Sequence, residues 1–264
     1  MPDAAIAAYD AIAEFYDEDM GRNNPGRDIR FYGERASRAA GQRVLELACG
    51  TGRITLPLVR QGVIVDALDG SLPMLHKLEA KARAELSAEE LGRLAWHWSN
   101  MRDFELGKRF DTILCPFSGF TYLVEDEDQR NMLQRVRMHL APGGAFLMDV
   151  FVPHYKDLLM PDGHVYHDYR RHLDNGMILE REKTIQKDLT RQVNVVRRTY
   201  RFLNDSGEVL RTVCTESTIR YRFRSEMKLL LESEGFDVIE EYGDFEAKPY
   251  SYSASMMVFV CKGK

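Results

Sequence analysis

Val44-Leu45-Glu46-Leu47-Ala48-Cys49-Gly50-Thr51-Gly52-Arg53-Ile54-Thr55 is the stretch on which the fold turns. It opens as a short apolar run, breaks into a glycine-rich turn and resumes with helical spacing. That order predicts a buried parallel strand, a tight loop and a helix start. Gly50 and Gly52 permit positive φ and let a ligand approach the backbone closely. The free N–H groups at the helix N-terminus then face that ligand, which suits a nucleotide-like cofactor. The rival dinucleotide fingerprint needs a third glycine three residues after the second, where Thr55 stands.

Outward from this stretch the alternation continues. Strands are expected at 43–48, 63–68, 94–98, 110–115 and 145–151, and helices at about 51–61, 72–92 and 126–140. Repeated β–α units imply a parallel sheet with right-handed crossovers, and ligands of such sheets bind at the carboxyl ends of the strands. Asp69 ends the second strand, where a ribose would sit, and its carboxylate can accept from two vicinal hydroxyls. The competing use of Asp69 or Ser71 is helix capping. Pro116-Phe117-Ser118-Gly119-Phe120-Thr121-Tyr122-Leu123 follows the fourth strand at the same end of the sheet, and Pro153-His154-Tyr155 follows the fifth.

From about Gly163 to Arg224 the apolar period changes to two. Turn signals at Asp174-Asn175-Gly176 and Asn204-Asp205-Ser206-Gly207 divide it into strands at 164–172, 177–186, 191–203 and 208–222. A helix at 225–234 and strands at 236–242 and 255–261 close the chain. Upstream, Ile6, Tyr9, Ile12, Ala13 and Tyr16 predict one helix over 4–20, a turn at 21–26 and a second helix over 27–40. His164 and His167 would point to opposite faces of a strand, so a metal site is not expected there.

The run Glu46-Leu47-Ala48-Cys49-Gly50-Thr51-Gly52 resembles the first motif of class I S-adenosylmethionine-dependent methyltransferases. Asp69-Gly70-Ser71-Leu72-Pro73-Met74-Leu75 resembles the second, and Leu140-Ala141-Pro142-Gly143-Gly144 a later signature. The resemblance implies a Rossmann-like seven-stranded, mostly parallel sheet with helices on both faces, its last two strands an antiparallel hairpin, plus an antiparallel β insertion. It implies S-adenosyl-L-methionine as cofactor and methyl transfer to a small-molecule acceptor, more an amine nitrogen than a hydroxyl. The cofactor residues it implies are Tyr9, Glu46, Ala48, Gly50, Gly52, Asp69, Gly70, Met74, Asn100, Met101, Arg102, Pro116 and Phe117. Asn100 stands where the family usually carries Asp to accept from the adenine amino group. Tyr16, Tyr122 and His154 are the catalytic candidates, as proton acceptors or orienting groups.

The expected organisation is an N-terminal helical lid (1–42), a cofactor-binding core (43–155 and 224–264) and an insertion (156–223) that caps the site or pairs two subunits. The net charge of −5 and the absence of a long basic run disfavour nucleic acid. So does the lack of an Asn/Asp-Pro-Pro-Tyr/Phe motif after the fourth strand. No apolar run approaches membrane-spanning length, and four scattered cysteines suit a reducing, cytoplasmic setting. The rival functions are a small-molecule O-methyltransferase and a non-catalytic cofactor-binding scaffold.

Overall fold

A computed structural model of the chain describes residues 3–20, 26–36, 41–251 and 253–264. Residues 21–25 of the expected turn, the end of the helix expected over 27–40, and Tyr252 lie outside the described residues. The strands are β1 (Arg43–Leu47), β2 (Ile64–Asp69), β3 (Leu94–Trp98), β4 (Phe110–Cys115), β5 (Leu140–Phe151), β6 (Val165–His172), β7 (Ile178–Asp188), β8 (Val193–Leu203), β9 (Val209–Arg220), β10 (Phe236–Tyr242) and β11 (Met256–Gly263).

Seven strands form one sheet in the order β10-β11-β5-β4-β1-β2-β3. β1 to β5 pair in parallel, and β11 runs antiparallel to both β5 and β10. Successive side chains point to opposite faces. Leu45 and Leu47 therefore join Ile113, Phe146 and Phe236 in one core, while Val44 joins Val65, Leu114, Leu147 and Tyr32 in the other. A strand buried on both faces must be apolar almost throughout, which is why β1 and β4 were legible as short hydrophobic runs. The strand order reverses between β1 and β4, so a crevice opens at their carboxyl ends.

The helix after β1 starts at Thr55 rather than near Thr51. Gly50 and Gly52 adopt positive φ, and the chain cannot enter the helix until it has left that turn. Pro57 then falls in the first turn, where its missing N–H costs nothing. The helix expected over 72–92 divides into Leu72–Glu85 and Ala88–Leu91, because Ser87 and Glu90 form a capping box that starts a new helix. β5 begins at Leu140, five residues early, with a register shift where it leaves Phe110.

The insertion forms a separate antiparallel sheet, β6-β7-β8-β9. Its outer face is laced by the ion pairs Arg170–Glu180, Arg197–Glu216 and Arg201–Glu182. The inner face presents Leu179, Tyr200 and Phe202 to the N-terminal segment. That segment is not one helix over 4–20. It runs as a helix at Ala4–Asp10, a 3-10 turn at Ala13–Phe15 and a helix at Tyr16–Met20. The break serves two faces at once. Ile12, Ala13 and Phe15 pack on the insertion, Phe15 edge-on to Tyr200 and Phe202 at 5.1 and 5.0 Å, while Tyr9 and Tyr16 turn toward the crevice of the parallel sheet.

Candidate active site

Two cavities meet at the carboxyl ends of β1, β2 and β4. The first holds about 980 Å³ of space, part of it open to solvent. The second, about 1000 Å³, lies between the N-terminal segment, the loop after β4 and the inner face of the insertion. Tyr9, Tyr16, Phe117 and Tyr122 line both and form the partition between them.

The floor of the first cavity is the Ala48–Gly52 turn. Ala48 takes a positive φ without being glycine, as do Phe117 and Ser118 across the cleft. At Gly50 a Cβ would make an ordinary contact with the Tyr16 ring at 3.8 Å. At Gly52 a Cβ would meet the Leu78 side chain at 3.0 Å, so this glycine serves both a positive φ and the close approach of the Leu72–Glu85 helix. Asp69 ties two loops together: one carboxylate oxygen accepts the Gly50 N–H and the other the Ser71 N–H, both at 2.8 Å. Burial pushes the Asp69 carboxyl up, and those backbone donors hold it back.

Glu46, 2% exposed, accepts from the Thr55 hydroxyl. Burial raises its carboxyl to about 7, against the opposing pull of Thr55 and Arg53. The Asn100 side-chain oxygen turns back to accept the Arg102 N–H at 3.0 Å. The Arg102 guanidinium bridges Asp3 and Asp128.

The loop after β4 is shaped by Asp149 of β5. This fully buried carboxylate accepts the Phe117 and Ser118 N–H groups at 2.8 and 3.0 Å and the Tyr32 hydroxyl. Those two N–H groups belong to consecutive left-handed residues, a conformation that costs energy outside glycine and persists only when the surroundings fix it. Phe117 lies under the Arg53 guanidinium, 5.1 Å from its ring centre, and Arg53 in turn pairs with Asp28.

The N-terminal segment is fastened over the first cavity at three points. Asp3 pairs with Arg102, Asp10 accepts from Ser71, and Asp17 accepts from Thr51 and pairs with Lys81. Beneath it the Tyr9 hydroxyl donates to the Tyr122 hydroxyl at 2.7 Å. Burial drives the Tyr9 and Tyr16 phenols well above their ordinary range, so both stay protonated at neutral pH.

The structure brings together most of the residues singled out from the sequence. Tyr9, Tyr16, Glu46, Ala48, Gly50, Asp69, Gly70, Met74, Asn100, Met101, Arg102, Pro116, Phe117 and Tyr122 all line the first cavity. Gly52 does not, being turned toward Leu78. His154 lines neither cavity: β5 exits into a short helix, Tyr155–Leu158, and His154 sits at its start. Sequence reasoning gave no site role to Asp3, Ile6, Arg53 or Ser71 in the first cavity, nor to Asp19, Arg181, Lys183, Arg198, Tyr200 and Ser217 in the second. The acidic spacing Asp3, Asp10, Asp17 was the available signal for the segment's attachment.

Residues 44–144 match the model of a methyltransferase domain. The chain is 29% identical over 151 residues to the cypemycin N-terminal methyltransferase of a Streptomyces species, covering 57% of this chain and 56% of that protein. It is 25% identical over 227 residues to the glycine/sarcosine N-methyltransferase of Halorhodospira halochloris, covering 82% and 74% respectively. The solved CcbJ methyltransferase from Streptomyces caelestis superposes with a TM-score of 0.79 at 26% identity, covering 97% of this chain and 98% of that one. The glycine turn, the carboxylate after β2 and the crevice at the switch point provide a site of the kind S-adenosylmethionine needs. Residues 44–144 form a methyltransferase domain, and the chain has the fold of the class I S-adenosylmethionine-dependent methyltransferases.

Proposed function

We propose that this enzyme methylates an amine nitrogen of a small molecule, with the cofactor in the first cavity and the acceptor in the second. The observation that carries this reading is the shared partition of Tyr9, Tyr16, Phe117 and Tyr122. Two substrates that must exchange a methyl group need adjacent sites with one meeting point, held in line and shielded from water. Relatives that are N-methyltransferases, those of Streptomyces and Halorhodospira halochloris among them, point the same way.

In this reading Asp69 faces the ribose, Asn100 and Met101 the adenine, and Glu46 the ammonium end of the cofactor. When bound, the cofactor supplies an electrophilic methyl carbon: as the nitrogen lone pair bonds to it, the carbon–sulfur pair returns to sulfur. Tyr9, Tyr16 and Tyr122 orient the acceptor by donating or accepting hydrogen bonds. Neither Tyr9 nor Tyr16 can take a proton from a hydroxyl acceptor, because burial keeps both phenols neutral. The two carboxylates of the second cavity are already occupied, Asp19 by Tyr169, Arg181 and Tyr200 and Asp168 by Arg181 and Lys183. An amine that arrives neutral, and sheds its proton to solvent after transfer, needs no such base. The insertion, covering the second cavity, acts as a cap over the acceptor. Its charged outer face gives little support to an apolar dimer seam. Four unpaired cysteines, three of them buried, fit a reducing compartment such as the cytoplasm.

A radiolabelled methyl-transfer screen against small amines and matched hydroxyl compounds tests this, with the product bond identified by mass spectrometry. N-methyl products are expected. Transfer only to oxygen, or tight cofactor binding with no transfer to any acceptor, would overturn the reading.

A further inference from the structure

Four of the five charged side chains in the second cavity neutralise one another. Arg181 pairs with Asp19 at 2.7 Å and with Asp168 at 2.9 Å, and Lys183 pairs with Asp168 at 2.9 Å. The fifth, Arg198, points from the inner face of β8 into the same cavity. Its one hydrogen bond among the described residues is donated to the Ser217 hydroxyl of β9 at 2.9 Å, and no described carboxylate pairs with it. Tyr9, Tyr122 and Tyr200 are near enough to feel its charge. The cavity thus carries three cations and two carboxylates, one positive charge in excess, next to the partition where transfer would occur.

A half-buried guanidinium left without a counter-charge has lost hydration without a full replacement, and its planar fork matches a carboxylate bidentately. Building on the amine-acceptor reading, we propose that Arg198, steadied by Ser217, is the anchor for an oxyanion on the acceptor, so that the substrate is an amine carrying a carboxylate. A single excess charge matches a monoanion, whereas a doubly charged phosphate would leave the cavity net negative.

The test uses the full chain and pairs of acceptors that differ only in the anion: glycine with glycinamide, alanine with alaninamide, and phosphoethanolamine with ethanolamine. KM and kcat are measured for each pair on wild type, Arg198→Lys and Arg198→Met, and cofactor affinity is measured by calorimetry. The expected result is a ten- to hundred-fold preference in kcat/KM for the carboxylate member, carried mainly by KM. Arg198→Met should erase it and Arg198→Lys restore part, while cofactor affinity stays unchanged. Equal turnover of acids and amides, or a preference that survives in Arg198→Met, overturns the anchor and leaves amine methylation standing. A preference confined to phosphoethanolamine overturns the carboxylate. If no amine is turned over, the amine reading has failed by itself. The anchor is then decided by titrating acetate into both proteins, since binding to wild type and not to Arg198→Met supports it and its absence from both refutes it.

Discussion

At the scale of single residues, two buried carboxylates carry charge where burial opposes it, and each makes a separate prediction. Glu46 has its carboxyl raised to about 7 by desolvation. A raised acid is protonated in the fold over a range where the unfolded chain is ionised. Its contribution to stability therefore falls as pH rises from the ordinary carboxylate range to about 7. A cationic group docking beside it reverses the sign for binding, because the ionised form is then preferred. Cofactor affinity should climb about ten-fold between pH 6 and pH 8, with proton release seen by calorimetry in buffers of different ionisation enthalpy. Glu46→Gln should flatten the slope, and a flat wild-type profile would show that nothing cationic docks there. Asp149 is different in kind, since it lines neither of the two cavities and acts through the Phe117–Ser118 backbone. Asp149→Ala strands two N–H groups and the Tyr32 hydroxyl, at about 1–3 kcal/mol for each that stays buried and unpaired. Turnover should fall more than ten-fold alongside a lower melting temperature. Full activity in a folded variant would mean the loop holds its left-handed turn unaided.

At the scale of elements, the N-terminal segment is where sequence and structure part. The parallel strands were legible because burial on both faces leaves almost no polar residue, and the insertion because its turns announce themselves as Asn-Gly and Ser-Gly. The segment's break was not legible. Ile6, Tyr9, Ile12, Ala13 and Tyr16 satisfy one helix, and the division at residues 11 and 12 exists only because two sheets compete for opposite sides of the segment. Arg198 was hidden for a related reason: beside Arg197 in an alternating strand, either one could face inward, and only the covering segment decides which. His154 was misplaced by proximity in sequence to the strand end. The segment's hold on the insertion can be weighed through Phe15, 4% exposed between Tyr200 and Phe202. Phe15→Ala should cost about 3–5 kcal/mol, charged mostly to docking of the segment. Hydrogen exchange should speed up over residues 4–20 and β7–β9 while β1, β4 and β5 keep their protection. Uniform loosening of both sheets would instead make Phe15 part of one undivided core.

At the scale of the whole molecule, the question is whether two sheets behave as one cooperative body. The insertion has no helix of its own to cover its inner face. Leu179, Tyr200 and Phe202 are closed over by Ile12, Ala13 and Phe15, and the ion pair of Asp19 with Arg181 ties the same segment to β7. That segment is in turn fastened to the parallel sheet through Asp3, Asp10 and Asp17, around the cavity assigned to the cofactor. Each sheet therefore depends on an element the other also holds, so thermal unfolding should be a single transition rather than two. A ligand that binds only the folded state adds about 2.7 kcal/mol at a hundred times its Kd, which for a chain of this size raises the melting temperature by roughly 5–11 °C. With S-adenosylmethionine the whole transition should move by that amount, insertion included, although the cavity assigned to it is lined by no residue of the insertion. Phe15→Ala should split the transition, leaving a low-temperature step that the cofactor no longer shifts. Two steps in the wild-type protein, only one of them responding to cofactor, would show that the insertion folds on its own and that the segment is a latch laid over it.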